Sequence, residues 1–145
     1  MFGNFNISAS GLTAQRLRMD VISDNIANVN TTRSEDGEPY RRKMPVFEEK
    51  SASFNSILSS KMKNNSVESG GVRVNQIIED QSPFKMKYDP QHPDANEEGY
   101  VAMPNVNITS EMIDMISASR AYEANVTALN TAKDMAKQGL QIGQG

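Results

Sequence analysis

The sequence predicts a mainly α fold with a small β region. Long amphipathic helices at the two ends of the chain pair antiparallel as a coiled-coil hairpin, around a middle segment with a β-hairpin and long loops. Two terminal stretches place apolar residues in alternating steps of four and three, which keeps a stripe on one helix face. Between them the period drops to two, as strands require. A discontinuous coiled-coil domain is expected from residues 1–33 and 106–142, and a middle segment with an edge strand, a flexible loop and a β-hairpin from 34–105.

The first helix steps through Ser8, Leu12, Gln15, Met19, Ile22, Ile26 and Val29, a heptad seam with Gln15 as its polar interruption. Ala14, Leu17 and Val21 form a second stripe beside its first half, more apolar surface than one partner helix covers. In "DNIANVNTTR", residues 24–33, Ile26 and Val29 finish the seam. Asn28 or Asn30 can take the left-handed conformation that ends a helix, and Thr31 with Thr32 turns the chain toward extended structure. That explains a stop but not Asn25, which lies inside the helix beside the seam. A buried amide there costs stability unless it is bonded, and it can fix register between helices.

In the middle, "PYRRKMPVFEEK" (39–50) alternates partially and carries two prolines, which predicts an edge strand interrupted at Pro45. Residues 51–69 are rich in Ser, Asn and Lys, with only Phe54, Ile57, Leu58 and Val67 as anchors, and read as a flexible or conditionally ordered loop. Gly70 and Gly71 open a strand with Val72, Val74, Gln76 and Ile78 alternating; Phe84, Met86 and Tyr88 alternate in the next. With "EDQSP" as a turn between them, these two segments are expected to form the hairpin. "DPQHPDANEEG" is a loop leading to "YVAMPNVN" and the last helix.

The last helix carries Ile108, Met112, Met115, Ser119, Tyr122, Val126, Leu129, Lys133, Ala136 and Leu140 on its seam. At about thirty residues it spans roughly 45 Å. Asn107 is the expected N-cap, Glu111 and Asp114 sit near the positive end of the helix dipole, and Lys133 and Lys137 near the negative end. Gly139 and Gly143 let it fray. Beside the seam runs a row of small residues, Ala118, Ala121, Asn125, Ala128 and Ala132. Helix propensity alone accounts for alanine there, and so does a face built for close approach of another helix.

Composition and chemistry narrow the function. Hydrophobic residues make up 37% of the chain and tryptophan is absent, so the core is expected to be thin. The net charge of -3, with both signs interspersed, gives no reason to expect nucleic acid or an acidic membrane surface. The absence of cysteine removes disulfides and thiolate chemistry. No basic-plus-apolar signal segment and no apolar run long enough to span a bilayer are present, so a soluble chain without a cleavable signal peptide is expected.

His92, the single histidine, lies in a turn-rich loop and has no partner set for a metal. Asp89, Asp94, Glu97 and Glu98 do not match a calcium loop. The adjacent pairs Glu48–Glu49 and Glu97–Glu98 diverge, so neither brings two carboxylates to one bond. No enzyme, metal site or cofactor is expected.

A helix pair buries one stripe of each member. Leu17, Val21, Ile113, Ile116 and Met135 are then expected to stay exposed, which implies partners. If those partners are further copies related by a repeated rotation and translation, the contact is heterologous and builds a ring or an open helical tube.

"ASGLTAQRLRMDVISDNIANVNTTR", "PYRRKMPVFE" and "PNVNITSEMIDMISASRAYEANVTALNTAKDM" together resemble the bacterial flagellar basal-body rod proteins. The first and last look like the terminal motifs shared across that family, and "PYRRK" with the short chain favours its proximal-rod members. The resemblance spans most of residues 5–50 and 87–142 and is weak over 51–70. Longer relatives commonly follow the first motif with Gly-Tyr, where this chain has "SEDGEPY".

The resemblance implies a structural, non-enzymatic rod subunit that helps form a helical tube transmitting torque across the periplasm or cell-wall space. It implies export through the flagellar type III apparatus, and partners that are other copies and other rod proteins. Asn25, Asn28, Asn30, Thr31, Asn105, Asn107, Arg120, Tyr122 and Asn125 match the motifs and take assembly roles by that resemblance. Packing adds Leu12, Leu17, Met19, Val21, Ile22, Ile26, Val29, Met112, Met115, Ile116, Ala121, Val126, Ala128 and Leu129 as interface candidates, with Tyr40, Arg41 and Arg42 from the basic strand. The competing expectation is a soluble coiled-coil adaptor or export chaperone that binds one partner through its apolar helix faces.

Overall fold

A computed structural model of the chain describes residues 2–51, 58, 62 and 70–143, with side chains from residue 5 onward. The loop expected over 51–69, with Phe54, Ile57 and Val67, lies almost wholly outside the described residues. The elements run α1 (Phe2–Ala27), β1 (Lys43–Glu49), β2 (Val72–Glu79), β3 (Lys85–Tyr88), β4 (Tyr100–Met103) and α2 (Ile108–Ile142). The chain is mainly α, as the two apolar periods imply, with small two-stranded sheets between the long helices.

The backbone packs into two compact units, and each takes part of both helices and part of the middle segment. The first comprises Met1–Leu17, Phe47–Asn75 and Ala118–Gly145; the second comprises Arg18–Val46 and Gln76–Ser117.

In the first unit the helices meet through small residues. Gly11, Ala14 and Ala118 are buried, and a Cβ on Gly11 would come within 2.9 Å of the Asn125 Oδ1. Glycine is what lets the two backbones approach there. Ser10 ties β2 to α1: its hydroxyl donates to the Ile7 carbonyl at 2.7 Å and accepts from the Val72 N–H at 3.0 Å. Gly71, at φ +107°, leaves no room for a side chain, since a Cβ would fall 2.5 Å from the Ser10 Oγ. The Lys50 N–H bonds the Gly71 carbonyl at 2.9 Å, and Arg73 pairs with Glu48 at 3.0 Å.

In the second unit Val21, Ile22, Val101 and Val106 are buried around two buried polar residues, Asn25 and Glu111. β3 and β4 pair antiparallel from Lys85↔Met103 to Tyr88↔Tyr100. The Asp80 N–H bonds the Arg42 carbonyl at 2.8 Å where β2 meets β1. Lys43 turns its amide and carbonyl the other way, toward Asn25. Pro45 has the same parity as Lys43, so its nitrogen lies on the edge away from β2, where no ladder bond is lost. The expected interruption at Pro45 therefore does not occur, and β1 runs unbroken to Glu49.

Strand pairing also departs from expectation. The segments around 72–79 and 85–88 are strands, but they do not pair with each other: β2 pairs with β1, and β3 with β4. The "EDQSP" link is held by bonds of its own and by Asn105 from outside. Asp80 caps the Ser82 N–H at 2.8 Å, and the Asn105 Nδ2 donates to the Asp80 and Ser82 carbonyls at 2.9 and 3.1 Å. "YVAM", to which the loop over "DPQHPDANEEG" was expected to lead, is the partner strand β4.

The helix ends follow local chemistry. Beyond α1, the Asn28 Nδ2 donates to the Asp24 carbonyl at 2.9 Å, and the Thr31 hydroxyl donates to the Asn28 Oδ1 at 3.1 Å. At the start of α2 the Asn107 Oδ1 accepts from the Thr109 and Ser110 N–H groups at 3.0 and 3.4 Å, an N-cap. The buried stripes lie beside the expected seams. Of the expected seam on α1 Ile22 is buried, but Leu12, Gln15, Met19, Ile26 and Val29 are half-buried, Ile108 and Met112 on α2 are exposed, and Val21, expected to be exposed, is 5% accessible. Small side chains, not the largest ones, permit the closest helix approach, and they set the buried face.

Candidate functional site

Four sequence segments of the second unit converge on one polar cluster. The last turn of α1 supplies Asn25, the approach to β1 and its first residue supply Tyr40 to Lys43, the loop before α2 supplies Asn105, and the first two turns of α2 supply Glu111 and Asp114. Asn25, 1% accessible, uses every hydrogen-bonding position of its amide. The Nδ2 donates to the Lys43 carbonyl at 2.8 Å and to the Glu111 Oε2 at 3.0 Å; the Oδ1 accepts from the Tyr40 hydroxyl and the Lys43 N–H, both at 2.9 Å.

Glu111 is equally occupied, with its Oε1 taking the Arg42 Nε–H at 2.5 Å. Arg42 extends the cluster to Asp114 at 3.4 Å and Asp80 at 4.0 Å, and Arg18 reaches Asp114 at 3.3 Å. The Asn105 Oδ1 accepts the Arg42 N–H at 2.8 Å.

The electrostatics follow the burial. Tyr40 is pushed up to about 12 from its ordinary value of 10.0, first by burial and then by Asp24, Glu111 and Glu79, whose charges oppose a phenolate. Asp80 is held below the ordinary carboxylate value by hydrogen bonds from the Ser82 hydroxyl and N–H, with Arg42 adding to them. The Glu111, Asp114 and Asp80 carboxylates are engaged by guanidinium, amide and hydroxyl groups, an arrangement that joins chain segments. Arg41 lies over the Phe84 ring, 4.2 Å from its centroid.

The interface candidates fall into three sets. Val21, Ile22 and Asn25 are buried within the chain. Asn25, expected to take an assembly role, has all four positions of its amide occupied within the chain. Leu12, Leu17, Met19, Ile26, Asn28, Val29, Thr31, Tyr40, Arg41, Arg42, Asn105, Met115, Ala121, Tyr122, Asn125, Val126 and Leu129 are half-buried. Asn30, Asn107, Met112, Ile116, Arg120 and Ala128 are exposed.

Ile108, Met112, Ile113 and Ile116 form an exposed apolar ridge on the first turns of α2, with Ile113 63% accessible. In the first unit an open cavity of about 670 Å³ lies among Ile7, Ser8, Ala124, Thr127, Ala128, Thr131, Ala132 and Met135. Glu111 was read only as a dipole partner. Its spacing of seven from Ala118 puts it on the small-residue face, the signal that could have placed it inside.

Residues 5–33 match the flagella basal body rod protein family, and residues 97–142 match the C-terminal family of the flagellar basal body rod FlgEFG proteins. Together with the paired terminal helices, this defines a structural, non-enzymatic subunit of the flagellar basal-body rod. The flagellar basal-body rod protein FlgC of Bacillus subtilis is 52% identical, over 99% of this chain and 98% of its own length. FlgC of Borreliella burgdorferi is 49% identical over 100% and 99%, and FlgC of Escherichia coli O6:H1 is 42% identical over 97% and 96%. The chain belongs to the FlgC family of flagellar basal-body rod proteins. Membership implies assembly with other rod subunits. No helix among the described residues is long and apolar enough to cross a membrane.

Proposed function

We propose that the chain forms part of the rod wall by packing its terminal helices, residues 1–33 and 106–142, against other copies of itself and other rod proteins. The result is a helical tube that crosses the periplasm or cell-wall space and transmits torque. The subunit reaches that place through the flagellar type III export apparatus.

The observation that carries this reading is the ridge of Ile108, Met112, Ile113 and Ile116, left exposed after the two helices have paired. An apolar ridge of this kind gains by burial against a neighbour, at roughly 25 cal/mol per Å². Contacts of one unlike face on another propagate into an open assembly.

Ile113→Asp should leave the fold of the chain intact, because residue 113 faces solvent, while blocking incorporation into rods and so motility. Glu98→Ala, a change of a loop charge, should do neither. Quantifying the subunit in purified basal bodies and in the secreted fraction checks this; normal incorporation of the Ile113→Asp chain would sink the ridge assignment.

A further inference from the structure

We propose that the Asn25–Glu111–Arg42 cluster is a register lock, whose hydrogen-bond pattern selects the one pairing of α1 with α2 and docks β1 onto both helices in the same event. This does not rest on the assembly reading, because the cluster closes within one chain.

Three observations carry the inference. The helix faces that meet have one close described fit, Gly11 against Asn125, and otherwise present the small side chains of Ala14 and Ala118, which interlock little. The cluster, by contrast, has one solution. All four hydrogen-bonding positions of the Asn25 amide are used, and both oxygens of Glu111 are used, in bonds of 2.5–3.0 Å.

Slipping α1 by one turn would present Val21 or Ile22 in place of Asn25 in one direction, and in the other Asn28 or Val29, which lie beyond the end of α1 at Ala27. Glu111 would then lose its amide donor, and the Lys43 backbone would lose both of its partners. Finally, a buried ion pair contributes little stability beyond what a well-packed apolar replacement supplies, whereas a single polar position is a known device for fixing register.

The lock also explains why the middle segment belongs to the helix pair. Asn25 bonds the amide and carbonyl of Lys43, and Arg42 presents its side chain to Glu111 and its N–H to Asn105. The helices cannot adopt this pairing without placing residues 40–43 beside them.

The chain has no cysteine, so two can be introduced for spin labels without background. Ser23 on α1 and Ser117 on α2 are exposed and lie outside the cluster. In the full chain, pulsed dipolar spectroscopy between labels at these sites should give one narrow distance. In the triple variant Asn25→Leu, Arg42→Met, Glu111→Leu, circular dichroism should show the same helix content. Its distances should split, with populations displaced by about one helical turn, roughly 5.4 Å.

Arg18→Met removes a solvent-screened pair, leaves every bond of Asn25 and Glu111 in place, and should keep the single distance. An unchanged narrow distance in the triple variant overturns the lock. Loss of helix in that variant also overturns it, by assigning the cluster to stability. A split distance in the native chain or in Arg18→Met would do the same to the claim that the hydrogen-bond pattern of this cluster sets the register.

Discussion

Arg42 and Arg18 show how much burial changes the worth of one ion pair. Arg42 faces Glu111, whose side chain is 1% accessible, whereas Arg18 faces Asp114, which is 37% accessible. Arg42→Met strands a buried carboxylate and should destabilise the chain by about 3–5 kcal/mol. Arg18→Met removes a pair screened by solvent and should cost about 0–1 kcal/mol. Denaturant midpoints of the two variants check the ranking, and equal losses would contradict it.

Tyr40 gives the same cluster a pH signature. Its folded value is raised to about 12 from 10.0, so its contribution is complete below about pH 10 and is lost as pH rises toward 12. Tyr40→Phe should flatten the fall in stability across that window, measured as unfolding midpoint against pH alongside tyrosinate absorbance. Asn25 was legible in the sequence as a polar residue within an apolar helix. What it bonds was not, because Tyr40, Lys43 and Glu111 are brought to it only by the tertiary fold.

At the scale of elements, the ends of the helices were legible and their contact faces only in part: Ile22 on the seam, the stripe of Ala14 and Val21 and the small row from Ala118 were marked, but the seams were expected to carry the contact. The Asn107 cap and the stop after Ala27 are local, settled by side chains within a few residues of the bonds they make. Strand partners and buried faces are nonlocal. An alternation pattern marks a strand without naming its neighbour, and a search for large apolar residues misses a face made by Gly11, Ala14 and Ala118.

Two glycines test this distinction. Gly11→Ala gains up to about 1 kcal/mol of helix propensity. Its new Cβ meets the Asn125 Oδ1 at 2.9 Å, and overpacking of this kind costs about 1–3 kcal/mol, so the net effect should be a loss. Nothing lies within 4 Å of a Cβ on Gly139. Gly139→Ala should therefore keep the propensity gain and raise thermal stability. Melting curves followed by circular dichroism read both signs, and a gain at both sites would show that the helices do not approach closely at Gly11.

At the scale of the whole molecule, the thin core expected from composition is what the chain has. Ala14, Val21, Ile22, Val101, Val106 and Ala118 are its buried hydrophobic residues, and no leucine, phenylalanine or methionine with a described side chain joins them. The last turns of α2 show the consequence. From Lys133 to Gly143 every residue is exposed except the half-buried Ala136, and Met135, Leu140 and Ile142 are 63%, 70% and 82% accessible. A helical stretch that packs on so little is marginal in water, because nucleation and backbone ordering are offset mainly by burial of an apolar face. Within the isolated chain, amide hydrogen exchange should be slowest around residues 21–25, 101–106 and 111, and fast from residue 133 onward. In assembled rods neighbours bind the folded helix and not the unfolded one, so exchange from 133 onward should slow by at least about tenfold. Equal exchange in the free chain and in purified rods would mean that the end of α2 takes no part in subunit contact, and that the assembly surface lies on the ridge of Ile108 to Ile116 alone.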